Sequence, residues 1–290
     1  MDDPVSRNSP GADVSGQVAV ITGGGRGLGL AIARLLGRHG ATVVIGSRNA
    51  ANLERAADGL RADGVTTHAV PCDVTERSEV VALRAAALDV GGRVDIWVNN
   101  AGRAGVFGPV QRVPEDDFLI TTDTIVRGTY YGSLVALDVM QRQGSGDLIN
   151  LLGRGDDGPV ANQAAYGSAK AWVRAFTGAL AAEHKGSGIR VHAFNPGLVR
   201  TDMLGAVDSV RGYGEGLQRL VPVVSALGAD ADEAAQPLLR LIGSDKAEYR
   251  ALAPLQLARR AGSNLLDRVR RRAAPRLRIA VTEVDDRAPS

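Results

Sequence analysis

The feature that most constrains this chain is a regular alternation of short apolar runs with stretches of helical period. It begins at Val18 and continues to about Asn195. A run such as Val18–Thr22 is apolar at almost every position, which is typical of a strand buried on both faces. Strands of this kind, alternating with helices, form a parallel sheet that carries helices on each side.

The pattern predicts an α/β fold with one doubly wound parallel sheet. Strands are expected at Val18–Thr22, Thr42–Ile45, His68–Pro71, Asp95–Asn99, Asp147–Leu152 and Arg190–Asn195. Helices are expected at Leu28–His39, Ala50–Asp63, Glu76–Val90, Glu115–Met140, Gln163–His184 and Ala231–Leu241. We assign residues 16–250 to a single nucleotide-binding domain, 1–15 to a disordered polar tail, and 251–290 to a basic C-terminal helix and tail.

Composition excludes several classes of protein. The 34 basic and 32 acidic residues give a net charge of +2, too balanced for bulk binding to nucleic acid. The single cysteine, Cys72, excludes an internal disulfide and any multi-cysteine metal site, and we expect no metal. No apolar run is long enough to cross a bilayer, and the first 16 residues lack the apolar core of a secretory signal. We therefore expect a cytoplasmic protein.

A glycine-rich turn, Thr22-Gly-Gly-Gly-Arg-Gly-Leu-Gly29, joins the first strand to the first helix. Ligands of such sheets bind beyond the carboxyl ends of the strands, where a helix N-terminus offers free N–H groups to phosphate. The spacing G-x-x-x-G-x-G differs from the usual dinucleotide fingerprint, so an ordinary loop remains an alternative. The position of the turn favours a cofactor site formed by Thr22, Gly23, Arg26, Gly27, Leu28 and Gly29.

The end of the second strand bears on which nicotinamide cofactor fits. Enzymes that use NAD usually carry an acidic residue there, which binds the ribose 2′-hydroxyl. Here Ile45-Gly-Ser47-Arg48 has no carboxylate, so nothing repels a 2′-phosphate. Arg48 can bind that phosphate through its planar fork, and Arg26 can approach from the other side. The chain has 31 Arg and 3 Lys, so both could be merely solvated arginines. Their positions favour NADP(H).

Four further motifs follow the glycine-rich turn: Asp73 in Cys-Asp-Val, Asn99-Asn-Ala-Gly102, Tyr166-x-x-x-Lys170, and Asn195-Pro-Gly197 with Thr201. In this order they resemble the short-chain dehydrogenase/reductase family, a Rossmann-fold family, over roughly residues 16–250. The resemblance implies that Asp73 bonds the adenine amino group and that Val74 packs on the adenine. It implies that the residues from Asn99 to Gly102, including Ala101, support the fourth strand and line the cofactor ribose. It also implies that Pro196, Gly197, Val199 and Thr201 flank the nicotinamide.

Tyr166 and Lys170 lie four positions apart on a predicted helix and therefore share one face. A lysine ammonium close to a phenol favours the phenolate, which makes Tyr166 a plausible general acid towards a carbonyl. The resemblance implies that Lys170 also holds the nicotinamide ribose. A surface Tyr–Lys pair without a catalytic role is the alternative interpretation.

Two residues expected from the resemblance are absent. The family's serine, thirteen positions before the tyrosine, is Gly153 here, and its asparagine, three before the glycine of the long fourth helix, is Ile125. Backbone N–H groups of Gly153 to Gly155, or Arg154, are possible substitute donors to a developing oxyanion. The glycine-rich stretch 150–158 and the missing Asp-Gly-Gly final strand resemble the chlorophyll b reductase branch, although no chlorophyll substrate follows from this.

The region from Met203 to Leu227 occupies the place of the family's substrate lid. Its apolar residues fit an apolar substrate and fit equally a lid that packs on the domain itself. The segment Leu255–Arg272 can form a basic amphipathic helix, which could dock on the domain or lie on an anionic membrane surface.

We therefore predict an NADPH-dependent reductase acting on a carbonyl or alcohol of an apolar small molecule, with a reduced catalytic set of Tyr166 and Lys170. The alternatives are a degenerate NADP(H)-binding sensor or scaffold and a membrane-peripheral enzyme. The family resemblance implies a homodimer or homotetramer.

Overall fold

The computed structural model describes residues 12–200, 206–218, 221–251 and 280–285. Its strands are β1 Val18–Thr22, β2 Thr42–Ser47, β3 Thr67–Pro71, β4 Ile96–Asn99, β5 Gly146–Leu151, β6 Ile189–Asn195, β7 Val199–Arg200, β8 Ala206–Val210, β9 Ala229–Asp230, β10 Glu248–Arg250 and β11 Ala280–Val284. Its α-helices are α1 Gly27–Arg38, α2 Ala50–Ala62, α3 Arg77–Gly91, α4 Glu115–Gln143, α5 Ala164–Glu183, α6 Gly214–Gln218, α7 Val221–Leu227 and α8 Ala231–Ala235.

Seven parallel strands form the central sheet in the order β10-β6-β5-β4-β1-β2-β3. From β1 the chain moves outward through β2 to β3 and then returns to β4 on the other side of β1. This reversal opens a crevice at the carboxyl ends of β1 and β4, where doubly wound sheets bind their ligands. The predicted fold class, a single doubly wound domain, is confirmed.

Each face of the sheet carries its own apolar core. Successive side chains of a strand point to opposite faces, so Val20 belongs to the core with α3 and α4, and Ile21 belongs to the core with α1 and α2. Both side chains are fully buried. This two-sided burial explains why β1 is apolar over its whole length rather than alternating.

The six predicted strands and the first five predicted helices all occur, with ends that differ by a few residues. The sixth predicted helix, Ala231–Leu241, is divided into α8 and a 3-10 helix at Gln236–Arg240. Pro237 lies at the start of the 3-10 segment and has no N–H to continue an α-helical ladder.

The expectation that the final strand is missing is wrong, because β10 pairs with β6 at the edge of the sheet. Its sequence, Glu-Tyr-Arg, has no apolar run, since an edge strand three residues long buries little. Only Tyr249 packs on the core, with its ring stacked on Phe194 at a centroid distance of 5.4 Å.

The folded part of the chain begins earlier than we predicted. The backbone N–H of Ala12 donates to the carbonyl oxygen of Leu239 at 3.1 Å, and Val14 is fully buried in the core. Residues 12–15 therefore belong to the domain rather than to a tail. One buried valine within a polar, glycine- and proline-containing stretch was too little apolar sequence to indicate this.

The C-terminal part contains a strand that we did not predict. β11 pairs in parallel with β8 in a two-stranded sheet that is separate from the central one. The predicted basic helix at 255–272 lies outside the described residues. No helix in the described ranges is long and apolar enough to span a membrane.

Candidate active site

One cavity of about 330 Å³ lies at the carboxyl edge of the sheet, where we expected the ligand. It is lined by most of the predicted site residues, namely Gly23, Arg26, Gly27, Leu28, Gly29, Ser47, Arg48, Val74, Ala101, Gly102, Tyr166, Lys170, Pro196, Gly197 and Val199. Thr22, Asp73 and Asn99 do not line it, and Thr201 lies outside the described residues. The cavity therefore joins the glycine-rich turn to the Tyr166–Lys170 pair.

The glycine-rich turn approaches its neighbours too closely for side chains. Gly23 has a φ of +67°, and a Cβ there would lie 2.9 Å from the Cα of Ala101. A Cβ on Gly29 would overlap the carbonyl oxygen of Gly23 and the side-chain amide of Asn100. These contacts hold the turn flat against β4, so the N-terminus of α1 faces the cavity.

The N-terminus of α1 is available to an anion. Arg26 is the N-cap residue, and its side chain caps none of the free N–H groups. The first turn contains no acidic residue. The helix therefore presents uncapped N–H groups and a positive dipole end to the cavity.

Thr22 and Asn100 position this turn. The Oγ1 of Thr22 accepts hydrogen bonds from the backbone N–H of Asn100 at 3.0 Å and of Ala101 at 3.2 Å. The side-chain amide of Asn100 donates to the carbonyl oxygens of Thr22 at 2.9 Å and Gly23 at 3.2 Å. Asn100, which belongs to the predicted motif Asn99–Gly102, also lines the cavity.

The arginines lie at the end of the cavity formed by β2. Arg48 is half exposed, with its Nη1 3.8 Å from the Oδ2 of Asp73. The other oxygen of Asp73 accepts from the backbone N–H and the hydroxyl of Thr75, at 2.9 and 2.8 Å. Arg26 is exposed and forms no ion pair within the described part of the chain. The backbone N–H of Asp73 donates to the Oε2 of Glu79 at 2.7 Å. This end therefore has two guanidinium groups and two carboxylates, both of which already accept hydrogen bonds.

Asn99 is a structural residue rather than a cavity wall. Its side chain accepts from the indole N–H of Trp97 at 2.8 Å and donates to the Oδ1 of Asn150 at 2.8 Å. Asn150 in turn donates to the hydroxyl of Thr177 on α5 at 3.0 Å. This buried network joins β4 and β5 to the helix that carries Tyr166 and Lys170.

Tyr166 and Lys170 lie on one face of α5, as their spacing predicts, but the lysine does not act on the phenol as we expected. The ammonium of Lys170 donates to the carbonyl oxygen of Leu151 at 2.7 Å and lies 5.8 Å from the centroid of the Tyr166 ring. Burial, followed by the negative charge of Asp156, raises the pKa of Tyr166 to about 12. Burial lowers the pKa of Lys170 to about 8, against the opposing effect of Asp156. Tyr166 is therefore a neutral phenol at pH 7.

Gly153 lies directly against Tyr166. A Cβ at this position would overlap the hydroxyl oxygen of Tyr166 and would lie 3.5 Å from the Cε of Lys170. The tyrosine hydroxyl thus occupies space that a serine side chain would need. The hydroxyl donates to no acceptor in the described part of the chain, which leaves it free to bond to a ligand.

Ile125, the other departure from the family pattern, is fully buried and packs in the core that also contains Tyr166, Leu152 and Val173. It packs through apolar contact against residues of α5. Further lining residues that were not predicted from the sequence are Cys72, Ala104, Thr124, Leu151, Leu152, Gln163, Leu198, Val207 and Val224. Most are apolar or lie in loops, so no local pattern identified them.

The outer wall of the cavity is built from segments that are distant in sequence. Val207 on β8 and Leu217 on α6 line it and pack with Phe107, and Val281 on β11 packs against the same cluster. Met203, Leu204 and Leu220, which we assigned to the lid, lie outside the described residues. No cluster of three or more potential metal ligands occurs in the described ranges.

Comparison with known proteins agrees with this geometry. The profile of the family described as short chain dehydrogenase matches residues 17–211. A Streptomyces coelicolor protein named provisionally as a ketoacyl reductase is 35% identical over 193 residues, covering 66% of this chain and 74% of that protein. An uncharacterized oxidoreductase of Staphylococcus aureus is 35% identical over 190 residues, covering 66% and 81%.

Solved structures show the same fold. A single-substitution variant of actinorhodin polyketide ketoreductase, solved with NADPH, is 29% identical, with a TM-score of 0.74 and coverage of 85% of this chain and 99% of that chain. The 3-ketoacyl-(acyl-carrier-protein) reductase of Brucella melitensis, solved with NADH, is 29% identical, with a TM-score of 0.70 and coverage of 84% and 93%. With the profile covering most of the domain and the cavity holding the Tyr166–Lys170 pair, this chain belongs to the short-chain dehydrogenase/reductase family of oxidoreductases.

Proposed function

We propose that this protein is an NADPH-dependent reductase that converts a carbonyl group of an apolar small molecule into an alcohol. The observation that carries the proposal is the single cavity that joins the uncapped N-terminus of α1 to the free hydroxyl of Tyr166. The relatives named above include proteins that reduce ketones, which supports a ketone as the substrate class.

The residues present fit a nicotinamide dinucleotide. The glycine-rich turn and the N-terminus of α1 would hold the pyrophosphate, since they offer free N–H groups close to the backbone. Val74, Ala101, Gly102, Pro196, Gly197 and Val199 would contact the remaining parts of the cofactor. Asp73 would bond the adenine and Thr201 the nicotinamide carboxamide, as the family resemblance implies.

We infer a preference for NADPH over NADH from the β2 end of the cavity. Arg26 has no ion-pair partner among the described residues, and Arg48 is held by Asp73 only at 3.8 Å. Both guanidinium groups remain able to bind a 2′-phosphate. The cofactors seen with related proteins include both NADPH and NADH, so the fold itself carries no preference.

The chain's own residues would supply the proton and would donate hydrogen bonds to the carbonyl oxygen of the substrate. NADPH, when bound, supplies the hydride. The phenol of Tyr166, whose pKa burial raises to about 12, is protonated at neutral pH and would donate that proton to the carbonyl oxygen. The backbone N–H groups of Gly153, Arg154 and Gly155 donate to no other acceptor in the described ranges, and they replace the missing serine as donors to that oxygen.

The cofactor assignment is tested by measuring Kd for NADPH and NADH in the parent and in Arg48→Asp. The parent should bind NADPH at least tenfold more tightly, because a charge-assisted contact contributes about 1.5–3 kcal/mol. Arg48→Asp should reverse the order, and Arg55→Asp, on the exposed surface of α2, is the matched control that should leave it unchanged. Equal affinities for NADPH and NADH in the parent would contradict the assignment of NADPH as the preferred cofactor.

The reaction is tested by following NADPH oxidation with a panel of apolar ketones and conjugated carbonyl compounds. Turnover of at least one ketone is expected. Tight NADPH binding without turnover of any compound would favour the second candidate, a cofactor-binding sensor. One observation supports that alternative, namely that Gly153 supplies no hydroxyl and the phenol of Tyr166 fills the corresponding space.

We further propose a cytoplasmic homodimer or homotetramer that assembles through α4. This helix carries the exposed apolar side chains Leu119, Ile120, Tyr130 and Leu134. Light scattering of the parent and of Leu134→Asp should show an oligomer that dissociates in the variant. A parent that is monomeric at micromolar concentration would contradict the proposal. Vesicle co-sedimentation of chains with and without residues 255–290 tests the membrane alternative.

A further inference from the structure

The turn that follows β5 carries a buried charge. The side chain of Asp156 is 1% exposed, and both of its oxygens are hydrogen-bonded. Arg250 donates to them in a bidentate arrangement, with Nη1 3.1 Å from Oδ1 and Nη2 2.7 Å from Oδ2. A charge buried to this extent is costly unless it is paired, and removing one partner of such a pair is strongly destabilising. Its presence beside the proposed catalytic residues therefore needs an explanation.

Asp156 links three segments of the chain, two of which line the cavity that contains Tyr166. Its own turn contains Gly153, whose carbonyl oxygen accepts from the N–H of Asp156 at 3.2 Å. Its Oδ2 accepts from the side-chain amide of Asn195 at 3.1 Å. The Oδ1 of Asn195 in turn accepts from the backbone N–H of Gly197 at 2.9 Å, in the turn that lines the cavity after β6. Through Arg250 the same carboxylate is connected to β10.

The turn is also pressed against the catalytic helix. Gly155 has a φ of +96°, and a Cβ there would lie 2.5 Å from the Cα of Gly167, the residue after Tyr166. Two backbones in direct contact leave the turn little freedom to slide along α5. The carboxylate of Asp156 fixes the other side of the same turn.

We propose that Asp156 is the positioning residue of the catalytic centre: together with Arg250 and Asn195, it holds the backbone N–H groups of Gly153 to Gly155 and the Asn195–Gly197 turn in fixed positions relative to Tyr166. The N–H groups that Asp156 holds in place thereby serve as donors to the substrate oxygen, in place of the serine hydroxyl that the family uses. This proposal rests on the reductase function proposed above.

The charged and titratable groups around Asp156 determine which pKa values change when its charge is removed. Arg250 faces it from β10 and is itself shared with Glu248, at 3.0 Å, and with Asp157, at 3.1 Å. Tyr166 and Lys170 face it from α5. The negative charge of Asp156 raises the pKa of both Tyr166 and Lys170, so its loss lowers both.

The test compares Asp156→Asn with Asp157→Asn. The two residues are adjacent, both contact Arg250, and both changes remove one negative charge, but Asp157 is 59% exposed and touches neither Asn195 nor the catalytic helix. In Asp156→Asn we expect kcat to fall about 10²-fold, as a small misplacement of catalytic groups can cause, with Kd for NADPH nearly unchanged. Asp157→Asn should retain the parental kcat.

A second readout is independent of turnover. The chain has three lysines, Lys170, Lys185 and Lys246, so the titration of Lys170 can be followed by NMR of ¹³C-labelled lysine and assigned with Lys170→Met. In Asp156→Asn the pKa of Lys170 should move below about 8, and in Asp157→Asn it should stay. Because this shift needs no substrate, it distinguishes a failure of this inference from a failure of the proposed reaction.

Arg250→Lys serves as the second variant if Asp156→Asn does not fold. It keeps a cation opposite Asp156 but loses the bidentate contact, so we expect a smaller fall in kcat with unchanged NADPH affinity. The proposal is overturned if Asp156→Asn and Asp157→Asn have the same kcat, or if kcat falls only in proportion to NADPH affinity and melting temperature. It is overturned as well if Lys170 titrates identically in the two variants.

Discussion

The cofactor half and the substrate half of the cavity are built in different ways. In the cofactor half, a short continuous segment from Thr22 to Gly29 lies against Asn100 and Ala101, directly after β4, and each of the hydrogen bonds between them involves a backbone group of this segment or of its neighbours. In the substrate half, Phe107, Val207, Leu217 and Val281 come from four separate parts of the chain and meet through side chains. The first half is determined locally, whereas the second depends on how distant segments pack.

The difference explains where the family pattern is kept and where it is lost. A Cβ at Gly29 would meet a carbonyl oxygen that cannot move without shifting β1. A Cβ at Gly153 would meet the end of a tyrosine side chain, which can rotate away. An added Cβ therefore meets backbone at Gly29 and a side chain at Gly153, the position of the missing serine.

The largest effect is expected from Tyr166→Phe. Loss of the phenolic proton should lower kcat by about 10²–10⁴-fold, which is the contribution typical of a positioned general acid. Kd for NADPH should stay within about twofold, since the ring remains and the cofactor half is untouched. Tyr130→Phe, on the exposed part of α4, is the control. Full activity in Tyr166→Phe would exclude the acid role.

Gly29→Ala and Gly153→Ala compare the two halves directly. Overpacking against fixed backbone should weaken NADPH binding of Gly29→Ala about ten- to hundredfold, corresponding to strain of about 1–3 kcal/mol. Gly153→Ala should leave NADPH affinity almost unchanged and lower kcat, because only the Tyr166 hydroxyl must move. Gly158→Ala lies in open space in the same loop and serves as the control. The comparison between the halves fails if Gly153→Ala weakens the cofactor more than Gly29→Ala does.

Val281→Asp tests the outer wall of the substrate half. A carboxylate placed against Phe107, Val207 and Leu217 should loosen the pairing of β11 with β8 and raise KM for a bulky apolar ketone several-fold. Kd for NADPH should not change. Thr282 is exposed on the same strand, so Thr282→Asp is the control. An unchanged KM in Val281→Asp would show that β11 does not support this wall.

The smallest effect concerns stability rather than catalysis. The pKa of Lys170 falls from 10.5 to about 8 on folding, so the unfolded chain holds this proton more tightly. The resulting penalty is fully present below pH 8 and disappears as the pH rises towards 10.5. Lys170→Met should therefore raise the melting temperature at pH 7 by a few degrees.

The control for Lys170→Met is Lys185→Met, since Lys185 is exposed just after the same helix. The gain in melting temperature of Lys170→Met over Lys185→Met should shrink between pH 8 and 10. A gain that is independent of pH would show that burial of the charge is not its cause.

The alternation of apolar runs and helical stretches was sufficient to predict the doubly wound sheet, the glycine-rich turn and the Tyr166–Lys170 face. Each of these depends on residues close in sequence, or on burial of both faces of a strand, and such patterns can be read from a single chain. Even Gly153 and Ile125 could be identified as departures, because their distances from Tyr166 and Gly128 are counted along the chain.

Only the tertiary structure decided how the lysine is oriented, which group fills the space beside Gly153, and where the edge strand β10 lies. The pairing of Asp156 with Arg250 spans 94 positions, and Ala280 on β11 pairs with Ala206 on β8, 74 positions earlier, so neither leaves a local pattern. The pKa values of Tyr166 and Lys170 likewise depend on the tertiary structure. Spacing places the two residues on one face of α5, but their burial, which comes from the packing of other segments, dominates both shifts.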